Sequence, residues 1–243
     1  LTTSGKIATA MMIGAWLAPF AASAGDFAQV RPIGFSRDGK IFAFEEFGIQ
    51  DGSGSAYANI FFIDTTKDEY LPGSPIRVQA PENDSSLRRV RAEAAAKASP
   101  AIAHYSLNEN PGQLVALNPY SEVGPAADTL RYYAFPAEPR VGQPYTLRLT
   151  ETPAPVPASC EGLVEKGVGF TLAFTEKSGQ PADEIVHSEE RTPQSRGCPT
   201  GYRIAGVVTY DAPQQPIHMA LVMVLRFGFE GLDGRWLAVP LKP

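Results

Sequence analysis

Cys160 and Cys198, the only two cysteines of the chain, offer its most specific chemistry. They lack the C-x-x-C spacing of a redox or metal-binding pair. In an oxidising compartment an isolated pair is most simply a structural disulfide. Closing the loop between them is worth about 4 kcal/mol in the chain-entropy model. The second cysteine ends the motif Arg191-Thr192-Pro193-Gln194-Ser195-Arg196-Gly197-Cys198. Arg191 and Arg196 carry planar guanidinium forks suited to a carboxylate or another small anion. The competing role for Arg196 is structural: paired with Glu189, Glu190 or backbone carbonyls, it would hold the disulfide loop in shape.

Glu45, Glu46 and Asp51 form a second candidate group. With Asp64 they offer oxygen ligands around the Gly/Ser loop that begins at Asp51, the kind of donors Ca²⁺ takes. The spacing is not that of an EF-hand, so no metal is assigned. Two of these carboxylates facing one cleft would instead suit acid/base hydrolysis. Glu45 and Glu46, however, point to opposite faces if they continue a strand. His104, His187 and His218 are scattered without metal-ligand spacing. A Ser195, His187 and Asp183 set can be written down, as it can in almost any chain of this size. No G-x-S-x-G elbow, P-loop or dinucleotide glycine motif is present.

The compartment comes from the first residues. Lys6, the apolar run 7–20 and Ala22-Ser23-Ala24 have the layout of a secretory signal peptide cut after Ala24. The run is shorter than the ~20 residues of a membrane-spanning helix. Residues 1–24 are therefore read as a signal peptide. Residues 25–243 are read as a single secreted β-rich domain without a membrane span, with an internal seam near 152–158. The net charge of −5 argues against nucleic-acid binding. Twenty-two glycines and 22 prolines predict many short strands with elaborate connections.

The elements that must position these side chains are mainly β. Asp38-Gly39 is a tight-turn signal, and residues 41–44 after it are apolar on both faces. Residues 57–64 read as a strand. Residues 85–98 read as one α-helix, capped by Asp84 or Ser85 and ended or kinked by Pro100. Its arginines, Arg88, Arg89 and Arg91, read as a solvated face. Residues 113–117, 130–135, 145–149, 169–174, 184–187 and 202–210 read as short strands. Residues 217–229 alternate Met219, Leu221 and Met223 with Ala220, Val222 and Val224, the pattern of a central strand buried on both faces. Asp233-Gly234 echoes Asp38-Gly39, which suggests two equivalent hairpins meeting in one sheet. The expected fold is mainly β, with antiparallel sheets in a sandwich or an irregular propeller-like arrangement, one helix and one disulfide.

Gly34-Phe35-Ser36, Asp38-Gly39, the stretch from Phe42 to Gly54, Ser195-Arg196-Gly197-Cys198-Pro199 and Gly228-Phe229-Glu230-Gly231 resemble the predicted secreted proteins of the DUF2259 family. The resemblance spans essentially the whole chain after residue 24. It implies export to a bacterial periplasm and a shared fold, and it brings no activity, substrate or cofactor. The favoured function is a non-catalytic periplasmic binding or interaction module, its partner a periplasmic protein or a small anionic ligand. The alternatives are a carboxylate-dependent hydrolase and an envelope structural protein.

Overall fold

The computed structural model describes residues 25–121, 128–229 and 231–243, so the expected signal peptide lies outside the described residues. Strands β1 (Gln29–Phe35), β2 (Ile41–Ile49), β3 (Ala56–Asp64), β4 (Glu69–Tyr70) and β5 (Ile76–Gln79) form a first antiparallel sheet. β4 and β5 share one edge of β3. The helix α1 (Leu87–His104) and strand β6 (Gln113–Leu117) follow. β7 (Thr129–Tyr133), β8 (Pro144–Ala154), β9 (Gly167–Lys177) and β10 (Gln180–Ser188) form an outer sheet in the order β10-β9-β8-β7. β11 (Pro199–Tyr210), β12 (Ile217–Phe227) and β13 (Leu232–Leu241) then join β6 in a middle sheet ordered β13-β12-β11-β6.

The layers follow from strand alternation, which sends successive side chains to opposite faces. On β12, Met219, Leu221 and Met223 pack against Phe42, Phe44 and Phe61 of the first sheet. Ala220, Val222 and Val224 pack the other way, against Leu147, Phe170, Leu172 and Phe174 of the outer sheet. The middle sheet is thus apolar on both faces and sandwiched between the other two. The first sheet is covered on its far side by α1, through Val90, Ala94 and Ala98 against Ala43, Ala58 and Phe62. The order is helix, first sheet, middle sheet, outer sheet: a sandwich with a third sheet added, and not a propeller.

Three expectations need correction. The helix runs to His104 and carries Pro100 inside it. Pro100 and Ala96, whose carbonyl loses its intrahelical donor, are both exposed. Water can therefore satisfy that carbonyl, while the partly buried Ala101 and Ile102 pack against the same core. The side chains of Asp84 and Ser85 do not cap it: Ser86 stands at the N-cap position, and Asp84 accepts from the Ser86 amide at 2.9 Å just before the helix. Nor do the two Asp-Gly pairs make equivalent hairpins in one sheet. Asp38-Gly39 turns between β1 and β2, with Gly39 at φ 74°, where a glycine costs least. Asp233 and Gly234 lie inside β13, opposite Arg226 and Leu225. The two regions meet across the sheet interface, where Trp236 Nε1 donates to the Ala28 carbonyl at 2.7 Å.

Residues 152–154 fall within β8, paired with β9, and Cys160 closes a short 3₁₀ turn, Ala158–Cys160. Cys160 is bonded to Cys198, at the entry to β11. The double-sided burial of the middle sheet makes a direct prediction. Leu221, fully buried, should cost about 2–5 kcal/mol when changed to Ala. Thr150→Ala, on the exposed face of β8, should change stability by less than about 0.5 kcal/mol. Urea unfolding of both variants checks this, and similar losses would contradict the layer assignment.

Candidate anion site between the first and middle sheets

A charged side chain held between two sheets must be paired or must meet a ligand, because desolvation otherwise costs several kcal/mol. Where β2 ends and β12 approaches its hairpin, the first and middle sheets leave a cavity of about 230 Å³. Phe61, Trp236 and Leu237 supply its apolar wall. Glu46, Arg77, Arg196, Arg226 and Arg235 bring charge to it.

Glu46 follows Phe42 and Phe44 on the inward face of β2. Its Oε2 accepts from the Trp236 amide at 2.6 Å, and its Oε1 accepts from Asn59 Nδ2 at 3.0 Å. Burial raises its pKa against the pull of those bonds and of Arg235 and Arg226. Arg235 is spoken for. Its Nη2 donates to Asp26 Oδ2 at 2.6 Å and its Nη1 to the Asp26 carbonyl at 2.7 Å. Tyr57 lies beneath the guanidinium, 5.0 Å away, and its hydroxyl donates to Asp26 Oδ1.

Arg196 is held as the structural reading of its motif expected. Its Nε and Nη2 both donate to Glu189 Oε1, at 2.9 and 2.6 Å. Glu189 also accepts from the Tyr202 hydroxyl at 3.3 Å. His187 completes the cluster, with Nδ1 2.7 Å from Asp68 and Nε2 3.4 Å from Glu189. Both ring nitrogens are thus engaged by carboxylates, which leaves neither available as the base of a Ser195 hydrolase. Ser195 Oγ instead accepts from Arg196 Nη1.

Arg226 differs from its neighbours. It stands on β12 opposite Pro199, beside the end of the disulfide loop. Gly197, at φ 65°, lies over its guanidinium, and a Cβ there would come within 3.2 Å of Nη1. The Arg226 guanidinium has no hydrogen-bond partner among the described residues. Burial, with the like charge of Arg235 beside it, lowers its pKa against the opposing pull of Glu46 and Asp233. Arg77 is exposed on β5 at the rim and makes no ion pair with a described residue.

The structure therefore brings Glu46 and Arg196 into one cavity and places the other sequence candidates elsewhere. Glu45 faces α1, where Arg91 grips it with two bonds of 2.8 Å and Arg31 adds a third. Arg91, expected on a solvated face, also lies 3.6 Å over the Phe47 ring and fastens the helix to the sheet. Asp51 accepts from the Gly52 amide at 2.9 Å within its own loop. Arg191 is exposed and lines none of these walls. Asp64 accepts from Thr66 at the β3–β4 turn, so the four proposed Ca²⁺ donors are not gathered. Among the described residues no group of three or more His, Cys, Asp or Glu is placed to hold a metal ion. Arg226 and Arg235 were not singled out from the sequence. Their signal was a charged residue at either side of the β12–β13 hairpin, abutting apolar runs.

The DUF2259 family model, described as a predicted secreted protein, matches residues 43–242. No curated protein and no solved structure matches the chain.

The carboxylate grip on His187 has a pH consequence. Burial alone would lower its pKa, but Asp68 and Glu189 outweigh burial and raise it from 6.5 to about 9. A raised folded pKa stabilises fully below 6.5 and loses that contribution as pH climbs through 9. Stability should fall across that window by about 3 kcal/mol. A His187→Gln variant should be nearly flat there. Urea midpoints of both proteins against pH give the comparison, and parallel profiles would contradict the imidazolium.

Proposed function

The chain belongs to the DUF2259 family of predicted secreted proteins, and from that premise we propose that it is an exported, non-catalytic binding module for a small anion. The intersheet cavity is the binding site, and the bacterial periplasm is the compartment. The observation that carries the reading is Arg226: a half-buried guanidinium without a protein hydrogen-bond partner among the described residues, lining a walled cavity. A guanidinium presents five N–H donors in a fixed fork, and a carboxylate or phosphate matches that fork.

The surrounding charges support the same reading. Arg235 is neutralised by Asp26, and Arg196 by Glu189. Arg226 and Arg77 are then left against Glu46, whose carboxyl burial drives toward its neutral form, and against Asp233, which Arg226 shares with Arg235. Among the described residues that line the cavity, four are arginines and one is a carboxylic acid. Its size, about 230 Å³, suits a phosphate, a sulfate or a short carboxylate better than a sugar chain. Hydrolysis by two carboxylates finds no support here, since Glu45 and Glu46 lie on opposite faces of β2 and only Glu46 reaches the cavity.

Thermal unfolding against phosphate, sulfate and short mono- and dicarboxylates tests the proposal. A ligand at a hundred times its Kd should add about 2.7 kcal/mol, or roughly 5–10 °C in Tm for a chain of this size. The double variant Arg226→Gln/Arg77→Gln should lose that shift. Arg191→Gln, outside the cavity, should keep it. A shift that survives the double variant but disappears with Arg191→Gln would move the site to the disulfide loop. No shift with any anion would end the proposal.

A further inference from the structure

β12 carries a second buried polar side chain at its other end. His218 is 2% exposed and lies eight residues before Arg226, roughly 26 Å along the strand. It lines a separate cavity of about 480 Å³ between the end of β11, the start of β6 and the segment that follows β7. That volume lies in the range of small-molecule sites, about 300–1,000 Å³. Phe135, Tyr145, Tyr210, Pro111 and Pro216 give it aromatic and apolar walls. Those walls are held in place. Thr209 Oγ1 donates to the Ala134 carbonyl at 2.8 Å, and the Tyr210 hydroxyl donates to Asn110 Oδ1 at 2.9 Å.

The protonation of His218 can be deduced. Its Nδ1 lies 2.9 Å from the Tyr132 hydroxyl, for which no other partner exists among the described residues. Burial raises the Tyr132 pKa, so this phenol keeps its proton; with Nδ1 as its one partner among the described residues, the buried hydroxyl is satisfied as a donor by donating there. Burial also lowers the His218 pKa to about 4, so the imidazole is neutral at pH 7. With Nδ1 accepting, the ring proton sits on Nε2. Nε2 has no partner among the described residues, and it is not sealed from solvent. Tyr132 does not line the cavity and His218 does. An N–H donor at the floor of an apolar cavity wants an oxygen acceptor.

We propose that this cavity is a second binding site, for a neutral ring-bearing small molecule whose carbonyl or hydroxyl oxygen accepts from His218 Nε2. Charge separates its choice from that of the arginine cavity. Its rim carries Glu109 and Asp211, and no lysine or arginine among the described residues lines it. An anion would meet like charge at the entrance and no counter-charge inside. The three aromatic rings provide faces and edges for a planar ligand.

The test uses acetophenone as the probe, with toluene and benzoate as matched controls, and NMR of the His218 imidazole as the readout. Acetophenone should shift the His218 Nε2 resonance saturably. Toluene, which lacks the acceptor, should bind about tenfold more weakly, the worth of one hydrogen bond. Benzoate should not saturate this resonance. Because His218→Phe would strand the Tyr132 hydroxyl and risk misfolding, the variant of choice is Phe135→Ala, whose ring is already 47% exposed. It should weaken acetophenone severalfold and leave Tm unchanged. The inference is overturned if no probe moves His218 saturably, if toluene binds as tightly as acetophenone, or if benzoate is preferred.

Discussion

A strand that is apolar on both faces cannot rest against one partner. β12 is such a strand, and the layered arrangement around it follows. One face requires the first sheet, the other requires the outer sheet, and each of these needs its inner face filled by large side chains. Phe42, Phe44 and Phe61 fill one interface and Phe170, Leu172 and Phe174 the other. The first sheet is itself apolar on its far side, where Ile41, Ala43 and Phe47 are capped by α1. The disulfide then ties the end of the outer sheet's connection to the entry of β11, beside the residues that pair with the far end of β12.

Three stacked sheets leave their polar chemistry at the ends of the stack, where strands run out of apolar residues. At one end the interface is lined with charge, most of it matched: Asp26 with Arg235, and Glu189 with Arg196 and His187. Matched buried pairs are weak stabilisers but specific positioning devices, since removing one partner strands the other. Here they fix the walls around Arg226, a half-buried guanidinium without a hydrogen-bond partner among the described residues. At the other end Tyr132 and His218 match each other and leave one donor over, in a cavity rimmed by acids. Both sites therefore arise in the same way: a pairing network that leaves a buried or half-buried donor over.

Much of this was legible in the sequence because it is carried by local patterns. The two-faced run from Ile217 onward announced a central strand, the Asp38-Gly39 turn announced the first hairpin, and the cysteine pair announced a disulfide. The opposite faces of Glu45 and Glu46 followed from strand periodicity alone. What stayed hidden depends on contacts between distant residues. Arg91 looked like a solvated helix residue because its partner, Glu45, is 46 positions away. Asp233-Gly234 had the composition of a turn, but pairing with β12 absorbed it into a strand. Pro100 had the composition of a helix stop, but the helix runs past it, with Ala101 and Ile102 partly buried against the same core. Arg226 carried no motif, and its place in the cavity depends on Gly197 and the fold of the disulfide loop.

The most direct test of the central claim is a side-chain NMR titration of the arginine Nε–H resonances with inorganic phosphate at constant ionic strength. The account predicts a saturable shift and slowed solvent exchange at Arg226, with Arg235 nearly still because Asp26 already holds it. If Arg226 stays unmoved while the exposed arginines drift together without saturation, phosphate meets only the surface, and the anion site is contradicted.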